Sequence, residues 1–440
     1  MAVAAGAVVA AGVALGGAAA VGADRLIRTS QLACGLRLVT EAMPDVRSVT
    51  TGFWVGTGSR DERAGEIGAS HFLEHLLFKG TPTRTARAIA EAVDAVGGDM
   101  NAFTTKEYTA FYVRLLAEHL DLGLDVLCDI MWSPALRPDE LEAERQVILE
   151  EILMHGDEPA DLVYDRFAAA LFPDHPLGRE VLGTQDSIEA MATGHVRRFF
   201  DEHYRPANMV VAAAGAVDHD QVATGIEARF AGVAGGGPPR RTPPNGRTEP
   251  SVVVPRTTEQ AHLVVGVRAP DRHDQDRWPL AILDHALGGG ASSRLFQEIR
   301  ERRGLAYSVY SDRVAYEDTG SLAVYVGTTP SRVRDVLELV TTELDRLTKD
   351  GITAHELDVA RGHLRAEILL ALEDSAARMS RIGRSLLLHH EVLTVDELLA
   401  RIDAVTVDHV GAAARRVLGG PRTVVVLGPY QEADLTPAVR

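Results

Sequence analysis

Cysteine is almost missing from this chain: Cys34 and Cys128 are the only two among 440 residues. Two cysteines cannot build a disulfide framework or a cysteine-lined zinc site, and they suit a reducing compartment. Positive charge is also short. Lys and Arg total 45 against 62 Asp and Glu, a formal charge of −17. Such a balance argues against nucleic acid or an anionic membrane as the main partner and favours a neutral or basic ligand. The first 23 residues carry no charged side chain before Asp24 and are almost entirely Ala, Gly and Val. A secretory signal would begin with a basic segment, and Ala and Gly drive membrane insertion weakly. Residues 1–26 are therefore read as an Ala/Gly-rich extension of a cytoplasmic protein with no firm membrane association. Export or anchoring through residues 1–23 is the alternative.

What is present is an ordinary globular composition, 46% hydrophobic and 24% charged, long enough for two or three domains. Gly and Pro cluster without apolar periodicity over residues 231–251, AGVAGGGPPRRTPPNGRTEPS, as in an exposed linker. The stretches on either side, 27–230 and 252–430, repeat one order of elements, and a tail follows at 431–440. Each opens on β-rich sequence (49–55; 262–267), passes to helix (67–78; 280–302), and continues to a hairpin-like pair (99–116; 306–326). Amphipathic helices follow, such as 139–154 and 353–372, and an apolar strand closes each half (209–214; 423–427). The fold class read from this order is α+β: two homologous α/β-roll domains, each an antiparallel-rich sheet packed with helices.

One segment carries chemistry. Residues 68–81 read GASHFLEHLLFKGT, in which Phe72, Leu73, Leu76 and Leu77 form an apolar helical face that Gly80-Thr81-Pro82 ends. His71 and His75 then project one turn apart on the same side, where two imidazoles can grip one ion. Glu74 lies beside them, within reach of a water on that ion. A zinc site that does chemistry needs a third protein ligand and an open position. Residues 139–154, DELEAERQVILEEILM, offer one on a helix introduced by Pro138, where Glu144, Ile148 and Glu151 share a face. By pattern alone, Glu151 is equally readable as a solvated acid of a Glu-rich helix. Other motifs offer no rival. Residues 287–295, LGGGASSRL, lack the lysine of a phosphate loop and read as a cavity-rim loop or a helix-start turn. His389-His390-Glu391 has no H-E-x-x-H continuation. The counterpart helix of the second half carries only Asp284-His285, so one metal per chain is expected.

The string His71-Phe72-Leu73-Glu74-His75 resembles the H-x-x-E-H signature of the inverzincins, and the pitrilysin/insulinase family in particular. That family places a ligating glutamate about 76 positions after the second histidine, which lands on Glu151, and another glutamate seven residues earlier, which lands on Glu144. Residues 97–113, GGDMNAFTTKEYTAFYV, and residues 292–308, SSRLFQEIRERRGLAYS, are similar to further family segments. The likeness spans roughly residues 30–430, and the two-half layout is similar to the mitochondrial-processing-peptidase-like branch.

The resemblance implies a zinc metalloendopeptidase. His71, His75 and Glu151 would hold one Zn2+ per chain, with Glu74 as the general base toward a zinc-activated water and Glu144 orienting a histidine from behind. Arg300 and Tyr307 would support the substrate carbonyl from the second half, with Arg302 competing for the place of Arg300. Asn101, Ala102 and Phe103 would form an edge strand that pairs with the substrate backbone. The residues alone leave blander readings: an exposed Arg300 in a basic run, a buried strand tyrosine at Tyr307, a turn asparagine at Asn101 and a surface acid at Glu144. The implied assembly is a homodimeric clamshell whose closed chamber takes peptides or unfolded polypeptides. The alternative is a non-catalytic structural or substrate-presenting subunit of the same fold, a class that characteristically loses the metal-site residues retained here.

Overall fold

A computed structural model describes residues 26–431, so residues 1–25 and the last nine of the expected tail lie outside the description. The first half contains β1 (Ile27–Gln31), β2 (Arg37–Ala42), β3 (Ser48–Val55), α1 (Ala69–Leu77) and α2 (Ala86–Asp94). The hairpin β4 (Asp99–Thr104) and β5 (Thr109–Leu116) comes next, then α3 (Leu120–Trp132), α4 (Pro138–Asp157) and α5 (Pro159–Leu171). It closes with α6 (Gln185–Glu189), α7 (Thr193–His203), β6 (Met209–Gly215) and α8 (His219–Arg229). The second half runs β7 (Ser251–Pro255), β8 (Ala261–Ala269), α9 (Arg277–Gly288), β9 (Ala306–Ala315), β10 (Gly320–Thr328) and α10 (Val333–Asp350). It ends with α11 (Ala354–Ala371), α12 (Ser375–His389), α13 (Val395–Asp403), α14 (Val407–Leu418) and β11 (Arg422–Gly428).

The two sheets are the same sheet twice. Their orders are β1-β2-β6-β3-β5-β4 and β7-β11-β8-β10-β9. From β2 onward they match position for position, including direction: β2/β6 and β7/β11 are parallel, and the remaining neighbours antiparallel. Strand β1 is an addition at one edge. β6 and β10 are buried along their whole length. Continuous apolar runs, instead of alternation, mark strands covered on both faces.

What covers the second face was not legible in the repeat. α12, from the second half, lies on the first sheet, where Met379, Ile382 and Leu387 pack with Val39, Trp54, Val210 and Ala212. α5, from the first half, lies on the second sheet, where Val163, Phe167 and Leu171 pack with Val264, Tyr325 and Val425. Each contact closes over a glycine. A Cβ on Gly383 of α12 would fall 2.5 Å from the Trp54 indole nitrogen, and one on Gly266 of β8 2.5 Å from the Phe167 ring. The halves thus complete each other's cores.

Buried ion pairs reinforce the exchange. Glu41 on β2 accepts from Arg378 and Arg381 of α12. Glu107, in the β4–β5 turn, accepts from Arg60 and also pairs with Arg272 of the second half. The linker departs from the expected fully exposed segment: the buried side chain of Arg241 donates to Asp61 and Glu317, and the Thr242 carbonyl accepts from Arg60. The helix expected over 280–302 is broken as well: α9 stops at Gly288 in the glycine run, and a short π-helical segment, Phe296–Glu301, follows. Among the described residues, no helix is long and apolar enough to cross a membrane.

Gly383→Val tests the exchanged contact. It is expected to overpack Trp54 and cost about 1–3 kcal/mol. Gly362→Ala, on the open face of α11 with nothing within 4 Å of its Cβ, is expected to gain about 0.5–1 kcal/mol. Thermal melts of both variants check the pair; equal Tm values would show that α12 is not seated tightly on the first sheet.

Candidate metal centre

The first turn of α1 is capped from a distance. Its N-cap, Gly68, has no side chain to offer. The buried carboxylate of Glu62 instead accepts the N–H groups of Gly68 and Ser70, each at 2.8 Å. Burial pushes the Glu62 carboxyl up to about 8, against the pull of the two amides. Phe72, Leu73, Leu76 and Leu77 are fully buried, which fixes the helix's rotation about its axis. His71 and His75 are left on the side facing α4, their ring centroids 4.7 Å apart.

Helix α4 supplies the opposing wall. Leu141, Glu144 and Ile148 form its buried face. Glu144 is no surface acid: one oxygen lies 3.0 Å from His75 Nδ1 and the other 2.6 Å from Lys79 Nζ. Seven residues on, Glu151 Oε2 stands 3.5 Å from His71 Nε2 and 3.6 Å from His75 Nε2. The ligating atoms of the three residues all fall within 4.8 Å of one another. Around a tetrahedral zinc with bonds of about 2.0–2.1 Å, ligand atoms sit about 3.3–3.4 Å apart. The donor set therefore fits zinc, in both chemistry and spacing.

The electrostatics agree. Burial first, and then the neighbouring His75, hold the His71 pKa down at about 4, so its ring stays neutral and keeps a lone pair for a metal. His75 Nδ1 has Glu144 behind it, the usual support for a ligating imidazole. The equivalent Nδ1 of His71 is buried without a partner. Glu74 borders the same cleft next to Thr104, and burial raises its carboxyl above the ordinary value.

The cleft measures about 710 Å³. Seven carboxylates line it and no Lys or Arg does; Asp157, Glu158, Asp161 and Asp165 come from the α4–α5 junction alone. His155, Asp165 and Glu180 form a further metal-capable group on this wall. There His155 Nε2 is already 2.5 Å from Asp165 Oδ2. Burial pulls the His155 pKa down, but the Asp165 hydrogen bond and nearby acids outweigh it, and the pKa is raised. The His155 Nε2 atom is thus already engaged by Asp165, and this group stands first as a hydrogen-bonded pair. Sequence reasoning passed over it, although His155 lies four residues beyond Glu151 on one helix face.

The remaining expected residues divide. Asn101, Ala102 and Phe103 lie on β4, the unpaired edge of the first sheet. Asn101 is in the strand and not in a turn, with its Oδ1 accepting from the Ala102 N–H at 2.8 Å. Phe103 borders the cleft. Arg300 and Tyr307 are together: Arg300 Nη1 donates to the Tyr307 carbonyl at 3.2 Å and its guanidinium lies 4.6 Å from that ring's centroid. Arg302 is tied to Glu298 instead. Tyr307 is 76% exposed, not a buried strand tyrosine. Neither Arg300 nor Tyr307 borders the cleft within this chain, and the glycine-rich 287–295 segment expected at a cavity rim does not border it either.

Two imidazoles from an H-x-x-E-H helix, a carboxylate from a distant helix and a further glutamate beside them define a zinc metallopeptidase of the inverted-motif type. The chain belongs to the insulinase family of peptidases: the description Insulinase (Peptidase family M16) matches residues 37–185, and Peptidase M16 inactive domain matches residues 193–364. It is 46% identical over 417 residues to an uncharacterized zinc protease of Streptomyces coelicolor, covering 92% of this chain and 90% of that protein. It is 38% identical over 396 residues to the uncharacterized zinc protease YmxG of Bacillus subtilis, covering 90% and 96%. In fold it is similar to a peptidase M16 inactive domain from Pseudomonas fluorescens (TM-score 0.87, 20% identity, 92% and 98% covered). A protease from Helicobacter pylori is similar too (TM-score 0.85, 24% identity, 92% and 99% covered).

Glu144→Gln keeps the side chain's shape but removes the charge between His75 and Lys79. Zinc affinity, measured by chelator competition, is expected to fall about 10- to 100-fold. Unchanged affinity would make Glu144 a packing residue only.

Proposed function

We propose that this chain is a zinc-dependent metalloendopeptidase that hydrolyses peptides or unfolded polypeptides. The observation that carries the reading is the convergence of His71, His75 and Glu151 on one point, with Glu74 on the same cleft wall. His71, His75 and Glu151 would hold one zinc ion per chain, which would supply Lewis-acid chemistry toward a peptide carbonyl and a water. Glu74 accepts the proton which that water loses and returns it to the leaving amine. Its burial raises its carboxyl above the ordinary value, which strengthens it as a proton acceptor. Glu144 keeps His75 in the tautomer and orientation a metal needs.

The substrate lies along β4, whose free edge can pair with an extended backbone. Seven cleft carboxylates favour substrates carrying Lys or Arg near the scissile bond. Arg300 and the exposed Tyr307 come onto the substrate from an opposing wall when two copies of the chain close a chamber around it. The retained metal set speaks against a non-catalytic subunit of this fold.

Glu74→Gln is expected to keep zinc while losing turnover by about 100-fold or more, as for removal of a general base. A variant that still cleaves an unfolded peptide at the parent rate would refute the mechanism. Among peptides of equal length, one rich in Lys and Arg is expected to show kcat/KM at least about tenfold above one rich in Asp and Glu, the gap narrowing as salt rises. A reversed preference would remove the acidic cleft from recognition.

A further inference from the structure

A second cavity, of about 750 Å³, lies beyond the β4–β5 turn, between the halves and against α9, β9 and α12. Its charge is opposite to that of the metal cleft. Five arginines and Lys106 line it, against two carboxylates, Glu107 and Glu391, in a chain whose formal charge is −17. Most of the ordinary compensation is already spoken for. Glu107 pairs with Arg60 and Arg272. Lys106 donates to the carbonyls of Leu177 and Arg179, and Arg381 to Glu41. Glu391 approaches Arg277 only to 4.0 Å. Among the described residues Arg313 and Arg384 have no ion-pair partner, and one terminal nitrogen of Arg313 is buried without an acceptor.

Arg384 is exposed and free to receive a ligand, whereas Arg313 is half-buried with Asp284 nearby but outside ion-pair distance, and its unsatisfied guanidinium nitrogen is unfavourable there. Guanidinium groups gathered on one wall are the usual means of holding a carboxylate or phosphate. His389 reports the same field. Burial, and then the charges of Arg277 and other cationic neighbours, hold its pKa down at about 4. Apolar side chains share the wall. Trp278 lies under the Arg277 guanidinium, 4.8 Å from its ring centroid, with Leu388 also on the wall. The volume falls in the range of small-molecule sites, about 300–1,000 Å³.

We propose that this cavity binds a small organic anion, its carboxylate or phosphate head held by Arg313 and Arg384 and its apolar body resting on Trp278 and Leu388. The site is separate from the peptidase chemistry and does not depend on it.

The test is a fluorescence titration of the full chain with 8-anilinonaphthalene-1-sulfonate, an aromatic anion of suitable size. Saturable binding is expected, with quenching of Trp278 emission that a Trp278→Phe variant loses. Affinity is expected to drop at least about tenfold in the double variant R313Q/R384Q. It is expected to drop by a similar factor for N-phenyl-1-naphthylamine, which has the rings without the sulfonate. Displacement by dodecanoate marks a carboxylate-headed ligand and displacement by ATP a phosphate-headed one; either supports the site. Zinc content and Tm check that the double variant is folded, and R384Q alone, at an exposed position, carries the test if it is not. Equal affinity in parent and variant, equal affinity for the uncharged probe, or displacement by neither competitor would overturn the proposal. Saturation by a Glu-rich peptide with no binding of the sulfonate would assign the arginines to acidic substrate segments instead.

Discussion

The metal centre depends on one buried carboxylate. Glu144 sits at 4% exposure, where an unpaired charge would be costly. It is tolerated because Lys79 and His75, both from the α1 side, reach its two oxygens. Satisfying both at once leaves α4 a single register against α1, and the fully buried Ile148 fills the space one turn later. Two turns beyond Glu144, Glu151 then faces the outer nitrogens of both histidines. The spacing of the ligands in sequence is a consequence of this contact.

The scaffold ties that centre to the distant half of the chain. α5 contributes Asp161 and Asp165 to the cleft while its apolar face covers the second sheet, so the acidic wall cannot shift without disturbing the second core. α12 makes the reciprocal connection. The β4–β5 hairpin divides two spaces of opposite charge: Phe103 and Thr104 border the acidic cleft, and Thr105 to Tyr108 border the arginine-lined cavity. A chain with a strong overall negative charge thus keeps a cationic pocket a few residues from an anionic one.

Much of this was legible in the sequence. The H-x-x-E-H helix, the shared face of Glu144 and Glu151, and the repeated element order all rest on local periodicity, which a single sequence displays. The exchange of α5 and α12 was hidden because amphipathicity states that a helix face is buried without stating against which sheet. The break at Gly288 was missed because apolar residues continue past it. The count of acids was plain, but their gathering around one cleft depends on the α4–α5 junction folding back beside α1. Arg300 and Arg302 could not be separated by spacing; in three dimensions Arg302 pairs with Glu298, while Arg300 lies against Tyr307 with Glu301 3.8 Å away. Tyr307 was hardest to read, since β9 is the edge of its sheet and the residue points outward.

The central claim is that one ion is enclosed by side chains from α1 and α4. Anomalous diffraction from zinc-loaded crystals, collected on either side of the zinc edge, tests it most directly. The account predicts one strong peak per chain between His71 Nε2, His75 Nε2 and a Glu151 oxygen, with Glu144 still against His75. A peak at His155, Asp165 and Glu180 with none at His71 would contradict it.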